Sequence, residues 1–128
     1  MKPTAFICIN GILNLPGDAQ GWTDRAVTWL NLHTAGKAEK FEYACGILTR
    51  RLRQNQRAEA IARMSRFYLR ADYEVVFIAH SNGGDLVERV LGLLVGLKIQ
   101  GAHLFAPAAE GNALRLALQS GQLGYLHL

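Results

Sequence analysis

No stretch of these 128 residues stays apolar for the roughly 18 positions that a membrane-spanning helix needs. The opening Met1-Lys2-Pro3 leads into only a short apolar strand, so no secretory signal is read there. Cysteine is scarce: Cys8 and Cys45 each lie inside a strand-like run, form no metal-ligand spacing, and read as buried free thiols. Nothing calls for an oxidising compartment, and the expected location is cytoplasmic. No phosphate-binding P-loop and no dinucleotide fingerprint occurs; no cofactor and no metal is expected. There is no internal repeat, linker or low-complexity segment. Acidic residues are nearly missing between Arg50 and Arg70, where seven arginines meet one glutamate.

What is present suits a single domain over residues 1–128, half of it hydrophobic, with thirteen glycines for turns. Ala5-Phe6-Ile7-Cys8-Ile9 and Val75-Val76-Phe77-Ile78-Ala79 are continuous apolar runs, the form of strands covered on both faces of a parallel sheet. Lys40 to Leu48 begins with alternation, ends apolar, and predicts a further strand. Gly101 to Ala106 and the terminal Tyr125-Leu126-His127-Leu128 predict two more. Between them lie helical patterns. Thr23 or Asp24 caps one that carries Ala26, Val27, Trp29 and Leu30, with His33 at its end. Leu52 to Leu69 is amphipathic, with Ala60, Ile61, Met64, Phe67 and Tyr68 on one face and Glu59, Arg63, Arg66 and Arg70 on the other. Asp85 to Leu94 turns Leu86, Val87, Val90, Leu91 and Leu94 to one side. Asn112 opens a short helix over Ala113 to Gln119. The order β-loop-α-β-α-β-α-β-α predicts an α/β fold with three αβα layers and a mostly parallel sheet.

The passage from Ala79 to Asp85 organises the rest. A buried strand must become a helix within Ser81-Asn82-Gly83-Gly84, and such a corner needs positive φ or close backbone approach. Small residues on either side, Ala79 and Gly83, let strand and helix meet. Ala79-His80-Ser81-Asn82-Gly83 resembles the nucleophile elbow of the α/β-hydrolase superfamily, with Ala at the first flank where Gly is usual. The resemblance implies that Ser81 is a nucleophile raised above the sheet at a helix N-terminus, with the Asn82 N–H facing the developing oxyanion. It also implies a second oxyanion donor after the first strand. Asn10-Gly11-Ile12 is similar in place and kind, with Asn where His is common, so the Ile12 N–H takes that role. The alternatives are a structural βα turn in another α/β fold and a plain strand exit at Asn10.

The resemblance covers most of the chain, from the superfamily's third strand through its sixth, a partial α/β-hydrolase core. The sequence stops where the seventh strand would open, and the acid and base could lie beyond Leu128. A serine hydroxyl needs a base in contact, and the superfamily order is nucleophile, acid, histidine. After Ser81 that order leaves Glu110 as acid and His127 as base. Asp85 and Glu88 lie on the elbow helix, His103 reads as a packing residue on a central strand, and His80 points away from Ser81. Three functions follow. The chain is a serine-hydrolase-like protein acting on an ester, thioester or amide. Alternatively, it is a non-catalytic scaffold that binds through the pocket over Ser81 or through the arginine-rich face. Last, the N–H groups from Asn82 to Gly84 hold a phosphate at a helix N-terminus.

The arginine block has two readings, a solvated helix face or a contact for an anionic ligand at Arg63, Arg66 and Arg70, such as a phosphate-bearing molecule, a nucleic acid or an acidic lipid surface. An unpaired sheet edge predicts a homodimer, which a monomeric mass in light scattering would contradict.

Overall fold

The computed structural model describes residues 2–11, 22–43, 53–107 and 111–128. Strand and helix alternate as β1 (Thr4–Ile9), α1 (Trp22–His33), β2 (Lys37–Phe41), α2 (Gln54–Arg70), β3 (Glu74–His80), α3 (Asn82–Leu93), β4 (Gly101–Phe105), α4 (Asn112–Ser120) and β5 (Leu126–His127). The strands form one parallel sheet in the order β2-β1-β3-β4-β5. With right-handed crossovers, α1 covers one face and α2, α3 and α4 the other. Accordingly α1 packs on β1 and β2, while α3 packs against both α2 and α4. This is an α/β fold with a five-stranded parallel sheet and four helices. Among the described residues no helix is long and apolar enough to cross a membrane.

The period-two rule decides which strand residues meet the three-helix side. Ala5, Ile7 and Ile9 of β1 and Val75, Phe77 and Ala79 of β3 point there, against Ile61, Leu86, Val87 and Val90, and all are fully or nearly fully buried. Removing a side chain such as Phe77 would cost about 3–5 kcal/mol, because a packed core does not collapse into the void. On the other face Ile78, His80 and His103 are only half-buried and Phe105 is exposed. Cys8 is a buried free thiol, its pKa pushed up to about 11 by burial; Cys45 lies outside the described residues.

α1 begins at Trp22, so Thr23 and Asp24 lie inside it and do not cap it, and α3 begins at Asn82, three residues before the predicted Asp85; two further expectations need correction. The second strand begins at Lys37, three residues before the predicted Lys40, and the apolar positions 44–48 lie outside the described residues. The reason is the turn at Gly36, where a Cβ would stand 2.0 Å from the Thr4 carbonyl oxygen. This near-contact delivers Lys37 directly into register with Ala5. β2 is an edge strand, and its Lys37, Glu39 and Lys40 are exposed, charges that discourage pairing with another chain. Asn31 of α1 also clasps Ala38, its Oδ1 accepting from the Ala38 N–H at 3.0 Å and its Nδ2 donating to the Ala38 carbonyl at 3.4 Å.

The second correction is in α2. Its buried stripe is Gln54, Ala58, Ile61, Ala62, Ser65 and Tyr68. Phe67, expected on that stripe, is 64% exposed. At three and four residues from Arg70 and Arg63 it shares their side of the helix.

Candidate active site

In an open parallel sheet, connections that leave two neighbouring strands in opposite directions open a crevice beyond their C-terminal ends. Here the chain leaves β1 toward β2 and leaves β3 toward β4, so the strand ends at which such a crevice is expected are those at Asn10-Gly11 and Ser81-Asn82.

Ser81 occupies the corner. Its backbone sits at φ 54°, ψ −118°, and α3 starts with the next residue. Positive φ is unfavourable for a residue with a Cβ and costs about 1–3 kcal/mol. Both backbone groups are held: the Ser81 N–H donates to the Phe105 carbonyl at 2.9 Å, and the Ser81 carbonyl accepts from the Gly84 N–H at 2.9 Å. The strand therefore ends tied to β4, and the helix begins without a spacer. Gly83 fits closely at this corner: a Cβ there would stand 3.0 Å from both the Ala79 Cβ and the Ile9 carbonyl oxygen, so strand and helix would have to give by a few tenths of an ångström. Ser81 is half-buried, whereas Asn82, Gly83 and Gly84 are buried.

Gly11 lies against the corner. A Cβ on it would be 2.8 Å from both the Ser81 Cβ and the His80 carbonyl oxygen. The exit of β1 and the elbow thus touch through backbone and Cβ atoms. Ile12 and Glu110 lie outside the described residues.

Beneath Ser81 and Gly11 runs a polar network that no local sequence pattern marks. The Tyr43 hydroxyl donates to the Asn10 carbonyl at 2.9 Å and accepts from Asn82 Nδ2 at 2.8 Å. Asn82 and Gln54 pair amide to amide, both contacts at 3.1 Å, and Gln54 Nε2 also donates to the Asp85 carboxylate at 2.7 Å. Arg57 lies over the Tyr43 ring, 4.5 Å from its centre. Asn82 therefore spends its side chain on holding β1, α2 and α3 together, and its backbone N–H is one of the first in α3, without an intrahelical acceptor. Asn10 is 1% exposed; its Nδ2 donates to the Tyr43 carbonyl at 3.3 Å, and its Oδ1 has no partner among the described residues. A sequence signal existed for Gln54. It precedes Ala58 and Ile61 by four and seven residues, so it falls on the buried stripe as a polar residue that must find partners.

The His80 ring, expected to point away from Ser81, has its Nδ1 3.0 Å from where a Gly11 Cβ would stand, beside the same glycine that lies against Ser81. Four other acids and histidines have partners elsewhere. Asp85 binds Gln54 and Arg89, the latter at 2.8 Å. The Glu88 carboxylate accepts from the N–H groups of Gly111 and Ala113 at the start of α4. The His103 ring meets the Tyr125 hydroxyl at 3.1 Å through Nε2 and His127 Nδ1 at 3.3 Å through its own Nδ1. Partial burial, and then the neighbouring His127, lower the pKa of His103 from its ordinary 6.5. His127 pairs with His103, and His103 with Ile78, three positions before Ser81. That register sets His127 roughly 10 Å down the sheet and roughly 10 Å across it from the corner, and does not bring it to Ser81. Among the described residues no group of three or more His, Cys, Asp or Glu side chains is placed to hold a metal. Arg63, Arg66 and Arg70 lie toward the C-terminal end of α2, which leads into the start of β3 and so stands at the opposite end of the sheet from Ser81.

No family model matches the chain, and neither the curated proteins nor the solved structures yield a significant match.

Proposed function

We propose that this chain is a serine-hydrolase-like protein in which Ser81 Oγ attacks the carbonyl of an ester, thioester or amide. One observation carries the reading: a serine, not a glycine, is kept at φ 54°, ψ −118° between a parallel strand and a helix. Glycine would occupy that corner without strain, so the cost of keeping a side chain there points to use of the side chain. The resemblance to the α/β-hydrolase elbow supplies that use. In the proposed step Oγ bonds to the acyl carbon, the oxyanion accepts from the Asn82 N–H and from that of Ile12, and the leaving group departs with the proton that Ser81 gives up. Water then cleaves the acyl-serine and restores the hydroxyl.

A second reading has its own support. Asp85 is bound to Gln54 and Arg89, and His127 to His103, so among the described residues no histidine–carboxylate pair stands at Ser81. On that reading the chain is a binding scaffold, and Asn10 Oδ1, which has no partner among the described residues, favours a ligand with a hydrogen-bond donor. A fluorophosphonate probe separates the two. Covalent labelling of the wild type, with loss of fluoride and none of it in Ser81→Ala, supports the hydrolase. No labelling of the wild type, under conditions that label a control esterase, assigns the chain to the scaffold.

A further inference from the structure

Phe67 was expected in the core. It lies instead among arginines, 64% exposed, in a groove of about 550 Å³ lined by Arg63, Arg66, Phe67, Arg70 and Ala71. A second groove of about 320 Å³ continues the surface to Leu97 through Arg66, Leu69 and Arg70. The Arg66 guanidinium donates to the Leu93 carbonyl at 3.0 Å, tying the C-terminal end of α3 to the same surface. Past that end the chain turns at Gly96, φ 83°, and leaves Val95 81% exposed and Leu97 39% exposed. Among the described residues none of the three arginines pairs with a carboxylate.

We infer that this surface docks on an anionic lipid bilayer. The choice rests on what lies between the charges. A nucleic acid needs cations spaced along a backbone, with aromatics set to stack on bases. A bilayer interface needs apolar side chains that sink below the headgroups and a cationic rim that meets the phosphates. Phe67 and Leu97 supply the first, and Arg63, Arg66 and Arg70 the second. Arg66 and Arg70 line both grooves, so charge and apolar surface are continuous. The arginine stems also cover apolar surface while their heads reach water or phosphate. The surface lies at the end of the sheet opposite Ser81 and functions independently of it.

The test is sedimentation of the full chain with vesicles of phosphatidylcholine alone and of phosphatidylcholine with phosphatidylserine. The wild type sediments with the anionic vesicles only. Arg63→Ala with Arg70→Ala, both at exposed positions, weakens binding on the order of tenfold or more, at about fivefold per cation near a charged surface. Phe67→Ser weakens it without changing net charge and leaves retention on heparin unchanged, a readout that a purely electrostatic site would not give. Equal sedimentation with neutral vesicles, or vesicle binding indifferent to Phe67→Ser, overturns the inference. So does binding to single-stranded RNA that Phe67→Ser abolishes while vesicle binding persists. Ser81→Ala sediments like the wild type, so failure of the hydrolase reading and failure of this one are distinguishable.

Discussion

A serine at φ 54° carries strain that glycine would not, and this makes Ser81 a position where stability and proposed activity separate. Ser81→Gly relieves backbone strain of about 1–3 kcal/mol and gives back about 0.5–1 kcal/mol through a more disordered unfolded chain. The variant is expected to unfold at an equal or higher urea concentration than the wild type while losing fluorophosphonate labelling. A clear loss of stability in Ser81→Gly would mean that the serine side chain holds the corner together, and the argument from strain would fail. Ser81→Ala keeps the Cβ and so keeps the strain, which makes it the control for labelling rather than for stability. The sequence announced this corner because its steric logic is local: Ala79 and Gly83 must be small for Ser81 to sit between strand and helix. The partners of Asn82 were hidden for the opposite reason. Tyr43 and Gln54 stand 39 and 28 positions away along the chain, and no local spacing predicts their meeting.

Elements showed themselves where burial is strong. The sequence places β1 and β3 within a residue of their bounds because both faces of a central strand are apolar; it places the apolar stripe of α3 but not its start, because Asn82-Gly83-Gly84 has no helical pattern of its own. β2 was displaced toward the apolar positions that follow it, because an edge strand is polar by construction and imitates a loop. In α2 the periodicity was right and one residue was assigned to the wrong side: Phe67 is apolar, but the buried arc is closed by Ser65 and Tyr68. The same helix begins with Gln54, which anchors the element to α3. Replacing it by Leu removes the donor to Asn82 and Asp85 and leaves the buried Asn82 amide short of a partner. The expected loss is about 1–3 kcal/mol, the cost of an unsatisfied buried polar group, read as a lower urea midpoint with unchanged slope. If Gln54→Leu matched the wild type, water would have to replace both contacts, and the network would not be what fixes α2 against the elbow.

For the molecule as a whole, the two sides of the sheet are unequal in the cover that the described residues give them. Three helices seal one side, and α1 covers β1 and β2 on the other. The half-open part carries the seam between β4 and β5, where the Tyr125 ring lies so close to Gly101 that a Cβ there would be 2.2 Å from it. β5 itself pairs through two residues, with one further bridge from Leu123 to Ile99 before it, so the contacts of His103 with Tyr125 and His127 add to its attachment. His103 titrates below its ordinary 6.5 because partial burial and then His127 disfavour its cation. In the window between the lowered pKa and 6.5 the unfolded chain binds a proton that the folded chain refuses, so stability falls as pH drops through that window and is flat above it with respect to this group. His103→Gln removes the titration and should flatten the acid limb of the thermal midpoint against pH relative to the wild type. The β1–β3 seam, from Thr4 opposite Glu74 to Ile9 opposite Ala79, contains no histidine, so acid should raise amide exchange at Leu126 and His127 before it does so at Val75 to Ala79. Parallel acid limbs in wild type and His103→Gln would show that protonation of this pair is not coupled to folding, and uniform exchange across the sheet would show that β5 is held as firmly as the strands beside it.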